Sequence, residues 1–257
     1  MTCGISITAI SNCPDVSGND DIGAILIECI GKQNLGVEEG DIFCVAQKVV
    51  SKAEGRLVKL SDVVPSEKAR FYAKELNKDP RKIEVILRES NSVVRYFKHH
   101  NQDEGVIICQ HRLGFISANA GVDESNVKEK DNVLLLPKDP DMSARFIRRK
   151  LESKFGVRVG VVITDTFGRP WRIGQINVAI GLAGVPATLS EKGNKDAFGG
   201  KLLVTEPAFC DELSAASGLV IDKSSRTPFV LIRGLRWKEH NQNAKDIVRL
   251  SKEDVFL

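Results

Sequence analysis

VRVGVVITDTFGRPWRIGQ, residues 157–175, starts as a run of β-branched side chains and turns abruptly polar. VRVGVVIT reads as a buried strand, because Val, Ile and Thr suit a covered, pleated surface. The strand ends directly on Asp165, which sets a carboxylate at the mouth of a sheet, where ligands commonly bind. Thr164 and Thr166 flank it with hydroxyls, and hard cations such as magnesium or manganese prefer such oxygen ligands. Arg169 and Arg172 follow closely and could grip phosphate or carboxylate through paired N–H groups. An Asx-turn after a strand, with solvated arginines, would give the same string; residue types alone leave both readings open.

Upstream of this stretch, Asp141 is the candidate cap of a helix on which Phe146, Ile147, Lys150 and Leu151 recur at helical spacing and which Gly156 can close. VLLLP (133–137) reads as a buried strand, preceded by an irregular loop at 119–126 and by strands at 92–97, 105–109 and 113–118. Two short helices are predicted over 66–78 and 80–90, with Ser66 and Asp79 as caps. DIFCVAQKVV (41–50) reads as a strand, with SKAEGR after it as a polar loop. Before it, Ile22, Ile25, Leu26, Cys29 and Ile30 share one helical face capped by Asn19 or Asp20, and ISITAI (5–10) forms a first strand. Downstream, LLVT (202–205) and FVLIRG (229–234) read as strands, 207–220 as a helix, and Ile247, Val248 and Leu250 as a last turn. Strands and helices follow no regular alternation, so the class is α+β with mixed sheets. No repeat or low-complexity linker divides the chain, which points to one unit over 1–257. The glycine-bearing loop at 186–200 is the candidate for a smaller subdomain.

The composition narrows the function. Of 257 residues, 42% are apolar and 28% charged, the balance of a globular protein with a core. A net charge of +3 spread along the chain argues against nucleic acid as a partner, since phosphate-backbone binding leaves a clustered basic face. The one compact basic run, Arg148, Arg149 and Lys150, reads as the solvated face of a helix. No apolar run is long enough to span a membrane, and MTCGISITAI lacks the pattern of a secretory leader. Cys3, Cys13, Cys29, Cys44, Cys109 and Cys210 form no CxxC pair or zinc spacing, so a reduced, cytoplasmic protein is expected. His99, His100, His111 and His240 read as surface or packed side chains, and Trp171 and Trp237 as core or interface.

Two more loops carry chemistry-bearing residues. In NAGVDESNV (119–127), Asp123, Ser125 and Asn126 sit beside a glycine, where backbone N–H groups and side-chain oxygens can approach a metal-bound phosphate; a tight self-capped turn is the plainer reading. In QKVVSKAEGR (47–56), Lys52, Glu54 and Arg56 could form a phosphate-binding group or only an exposed mixed-charge loop. Asp211 and Glu212 could add a carboxylate or serve as first-turn charge. No GxxxxGK[ST], HExxH or GxSxG motif is present.

In this order, VVSKAEGR (49–56), NAGVDESNV (119–127), LLLPKDPDMSA (134–144), VGVVITDTFGRPWRIGQ (159–175), IGLAGV (180–185) and LLVTEPAFCDELSAA (202–216) resemble the coenzyme F-420:L-glutamate ligase family. The similarity runs from about residue 5 to 235 and lacks the reductase-like C-terminal domain of the bifunctional members. It implies a homodimeric, GTP-dependent ligase that uses magnesium or manganese, with potassium as a further ion, to add L-glutamate to a coenzyme F-420 precursor through an acyl phosphate. By position it implies Asp123 and Asp165 as catalytic metal ligands and Thr166 as a ligand of a second metal. Gln47, Lys48, Lys52 and Asn126 match nucleotide contacts, as does the turn Asn12, Cys13, Pro14 and Asp15, although Asn12 stands where the family usually has glycine. IDKSSRTP (221–228) replaces a glycine-bearing loop of the family, and Asp222 and Lys223 are the candidates to stand in for its contacts. That substitution motivates one alternative, a glutamate ligase for another carboxylate such as a folate; a catalytically idle nucleotide-binding relative is a second alternative, against which the intact pair Asp123 and Asp165 counts.

Overall fold

The computed structural model describes residues 4–124, 131–221, 226–249 and 253. Its largest sheet has five strands, β1 (Ser6–Ile10), β2 (Ile42–Ala46), β8 (Gly160–Arg169), β9 (Arg172–Ala183) and β10 (Phe229–Arg233), in the order β1-β10-β2-β8-β9. Only the β2–β8 pair is parallel. Two smaller sheets pair β3 (Leu57–Lys59) with β7 (Asn132–Leu134), and β4 (Ser90–Phe97), β5 (Val106–His111) and β6 (Ile116–Ala118) as a meander. The helices are α1 (Ile22–Lys32), α2 (Gln47–Ala53), α3 (Glu67–Leu76), α4 (Pro80–Arg88), α5 (Pro140–Phe155) and α6 (Phe209–Ser217). This is the α+β architecture with mixed sheets that the order of elements indicates.

The large sheet is covered on both faces. Leu26, Ile30, Ile147 and Leu151 from α1 and α5 pack with Phe43, Val45, Val161 and Ile163 on one side. On the other, Cys210 and Leu213 of α6 meet Cys44, Val162, Leu182 and Val230. Being covered twice, β2 and β8 need continuous apolar runs rather than alternation, as their sequences show. Gly181 lets β9 lie against the start of α5: a Cβ there would stand 2.5 Å from the Pro140 carbonyl carbon. A separate cluster under the meander gathers Leu76, Ile83, Ile86, Ile107, Cys109 and Val133.

Several sequence expectations are corrected. DIFCVAQKVV is not one strand: β2 stops at Ala46 and Gln47–Ala53 coil into α2, taking in half of the expected polar loop. The buried Gln47, Val50 and Ser51 recur at three- and four-residue spacing, a helical stripe that the Val49–Val50 pair conceals. The cap of α5 is Asp139, which accepts from Met142 N–H with Pro140 in the first turn. Asp141 instead accepts from the Leu182 and Ala244 N–H groups and ties α5 to β9 and the 3-10 turn Ala244–Ile247. The cap of α1 is Asp21, not Asn19 or Asp20. LLVT is not a strand; Leu203 and Val204 are exposed. Arg148 and Lys150 are not merely solvated, since they pair with Glu152, Glu239 and Asp21. Trp171 is not core: it lies exposed at a hairpin tip. Cys13, Cys29, Cys44, Cys109 and Cys210 are free and buried.

Candidate active site

β8 does not end on Asp165. What ends there is its parallel pairing with β2, whose last pair is Ala46 with Thr164, because β2 turns into α2 at the next residue. β8 itself continues to Arg169 as one side of a hairpin with β9, with Asp165 opposite Val178 and Thr166 opposite Asn177. Asp165 therefore lies where two strands part and leave a gap, with α2 starting on the other side.

α2 delivers three side chains to this gap. Gln47 is buried, and the Ser51 hydroxyl donates to its carbonyl oxygen at 2.7 Å, which turns the Gln47 amide N–H toward Asp165. Lys48 and Lys52, one helical turn apart, both line the same hollow. The Lys48 ammonium pairs with Asp123 at 2.6 Å. Asp123 is held by a bridge to β7, exchanging backbone hydrogen bonds with Leu134 at 3.0 and 2.8 Å.

The carboxylates of Asp123 and Asp165 thus act on one another. Burial pushes the Asp165 carboxyl up to about 6; the Asp123 charge adds to the rise, against the Thr166 N–H, Lys48 and Gln47. Two facing carboxylates in a partly desolvated gap, one already holding an ammonium, form a place that favours added positive charge. The Thr166 hydroxyl, 2.9 Å from Asn177 Oδ1, adds a neutral oxygen. Two carboxylates and a hydroxyl are the oxygen donors that would suit a hard divalent cation. Among the described residues no group of three or more His, Cys, Asp or Glu side chains forms a site.

The adjoining hollow has a volume of about 1070 Å³ and is walled by the turn Cys13–Val16, α2, β8, β9 and the end of α6. Asn12 adopts φ 62°, so the asparagine keeps the left-handed backbone that a glycine would take there. Burial pushes the Cys13 thiol up to about 12, so it lines the wall as an apolar group. Asp15 sits at the rim, 3.6 Å from Arg226.

Not every sequence candidate converges here. Arg169 lies four residues beyond Asp165 on an extended strand, about 13 Å away. It spends one N–H on the Ile173 carbonyl and lines a different cleft. Arg172 is exposed at the hairpin tip. Asp211 accepts from the Ala179 N–H and fixes α6 to β9, and His111 is packed inside. Ser125, Asn126, Asp222 and Lys223 lie outside the described residues. Sequence reading missed Ser51 and Asn177, which orient Gln47 and Thr166. A helical reading of 47–53 and a hairpin reading of 160–183 would have found both.

A model of the F420-0:Gamma-glutamyl ligase family matches residues 11–234. The chain belongs to this family. It is 42% identical over 246 residues to the coenzyme F420:L-glutamate ligase of Methanopyrus kandleri, covering 94% of this chain and 93% of that one. The protein of the same name from Methanocaldococcus jannaschii is 40% identical over 221 residues, 86% of each chain. That of Methanothermobacter thermautotrophicus is 38% identical over 256 residues, 98% of this chain and 99% of the other. Within the family match lie α2, Asp123, the β8–β9 hairpin and α6, all the described walls of the gap.

Proposed function

We propose that this chain is a GTP-dependent ligase that joins L-glutamate to the carboxylate of a coenzyme F-420 precursor. The carrying observation is that Asp123 and Asp165 meet beside the Lys48–Lys52 face of α2. Lys52 and Lys48 attract and orient the triphosphate, and the turn at Cys13–Val16 closes around the nucleotide. Asp123 and Asp165, with Thr166, would hold magnesium or manganese, with potassium as a further ion. A divalent cation held there would supply positive charge to offset that building on the phosphoryl oxygens. The acceptor carboxylate attacks the γ-phosphorus in line and GDP leaves, giving an acyl phosphate. The α-amine of glutamate then attacks the acyl carbon, expels phosphate and forms the amide. Desolvation around Asp165 strengthens each of these electrostatic contacts and keeps water from the activated acyl group.

Purified protein given GTP, manganese, glutamate and a panel of carboxylate acceptors, with products read by mass spectrometry, tests this reading. A glutamate mass increment on the F-420 precursor supports it. An increment only on a folate or another carboxylate would replace the acceptor, and nucleotide binding with no product on any acceptor would leave an idle relative.

A further inference from the structure

The first two residues of α2 each hold one member of the acidic pair, and they hold it differently. Gln47 is buried, its carbonyl oxygen accepts from the Ser51 hydroxyl at 2.7 Å, and its amide meets Asp165. That contact is neutral and fixed from both sides. Lys48 follows on the half-buried flank of the helix, and its ammonium lies 2.6 Å from Asp123 Oδ2. A lysine head rides on a flexible four-carbon stem, so this second contact is charged and movable.

The Lys48 charge also acts on Asp165, against the effects of burial and of Asp123. One ammonium thus serves both carboxylates, which is the service a divalent cation would give them. Lys52, one helical turn on, lines the same hollow and acts on the Cys13 thiol at its wall. Lys48 and Lys52 therefore differ in what they meet, although both carry one charge on the same helix.

Asp123 has 34% of its side chain exposed and Lys48 has 22%, so solvent screens their pairing only in part. An ammonium and a divalent cation brought to one such carboxylate repel each other. The ammonium has a second destination, because Lys48 lines the hollow and phosphate oxygens entering there would accept its N–H groups.

Resting on the ligase reading, we propose that Lys48 is an exchangeable counterion: it competes with the divalent cation for Asp123 and, once released from that carboxylate, engages the nucleotide phosphates. Lys48 so couples the two ligands. Held by Asp123 it opposes the cation, and held by phosphate it no longer does, so each ligand favours the other.

Binding of manganese alone, read as loss of the free-ion EPR signal, tests this on wild type, Lys48→Gln, Lys48→Arg and Lys52→Gln. Lys48→Gln is expected to bind manganese about fivefold more tightly than wild type, the scale of a partly exposed ion pair, with Lys48→Arg and Lys52→Gln within about twofold. At saturating manganese, calorimetry with a β,γ-methylene analogue of GTP should show Lys48→Gln binding the analogue about tenfold more weakly. One substitution then strengthens one ligand and weakens the other, which a damaged fold would not do. Manganese affinity unchanged or lowered in Lys48→Gln would overturn the competition. So would an equal gain in Lys52→Gln, which would reduce the effect to the general charge of the hollow. Unchanged affinity for the analogue would overturn the transfer to phosphate. No manganese bound by wild-type protein, with or without the analogue, would overturn the metal site on which the ligase reading itself rests.

Discussion

At the scale of single residues, Asp165 is the centre of the proposed chemistry and the source of a cost in stability. Its folded pKa of about 6 lies above the ordinary aspartate value, so its contribution to stability is present below about pH 4 and lost as pH rises through 6. At pH 7.5 the metal-free protein carries a penalty of roughly 3 kcal/mol from this charge. Asp165→Asn should therefore raise the melting temperature of metal-free protein at pH 7.5, with the gain vanishing near pH 4, while GDP formation falls at least about hundredfold. Equal melting temperatures at both pH values would refute the desolvated carboxylate. Asp123→Asn should also nearly abolish turnover, and the double variant should lose far less than the product of the two single losses, since both act at one site. Lys52→Ala should raise the KM for GTP about tenfold or more, with Lys52→Arg restoring only part, because a guanidinium is planar and longer. Unchanged GTP kinetics would remove Lys52 from the nucleotide site.

At the scale of elements, the site depends on where α2 starts and how the hairpin is held. Sequence patterning located five of the six helices, and it named the caps of α3 and α4, Ser66 and Asp79, while placing those of α1 and α5 one or two residues away from Asp21 and Asp139. It missed α2, whose seven residues are too short for a clear period, and β9, whose turn is unusual. Pro170 takes the first corner of that turn, but the second is Trp171 at φ 57°, where glycine or asparagine would have signalled the reversal. Neither position shows in the sequence that Glu89 binds distant segments. It sits 2.8 Å from Arg56 and 3.1 Å from Arg112, and these arginines hold the carbonyls of Leu136, Pro137 and Lys138. Burial alone would raise the Glu89 pKa, but His111, Arg56 and Arg112 outweigh it and hold the carboxyl at about 2. Its stabilisation is thus full above about pH 4.5 and lost as pH falls toward 2. Glu89→Gln should cost about 3 kcal/mol at pH 7 in urea unfolding, and less as the pH is lowered through that window. A cost that stays constant between pH 5 and 3 would contradict the network.

At the scale of the whole molecule, the acidic pair was legible as two carboxylates in two loops, but its convergence was not, because Asp123 and Asp165 are joined only through β7, α2 and β8. The cleft that Arg169 lines was illegible altogether, being assembled from the meander, α5 and the hairpin. The hairpin tip exposes Trp171 and Ile173, and the segment before α6 exposes Phe198, Leu203 and Val204. Apolar tips of this kind suit a second copy of the chain, as the family resemblance implies. Sedimentation at micromolar concentration should give twice 28.2 kDa, and Trp171→Asp with Ile173→Asp should return it to the single-chain mass; a wild-type mass of 28.2 kDa would contradict the dimer. The central claim, that Asp123 and Asp165 serve a phosphoryl transfer to the acceptor carboxylate, is tested most directly by GDP release. With GTP, manganese and L-glutamate present, GDP should appear only after the F-420 precursor is added, one for each glutamate consumed, and Asp165→Asn should stay silent under the same conditions. GDP released at the same rate without the precursor, or full release by Asp165→Asn, would contradict it.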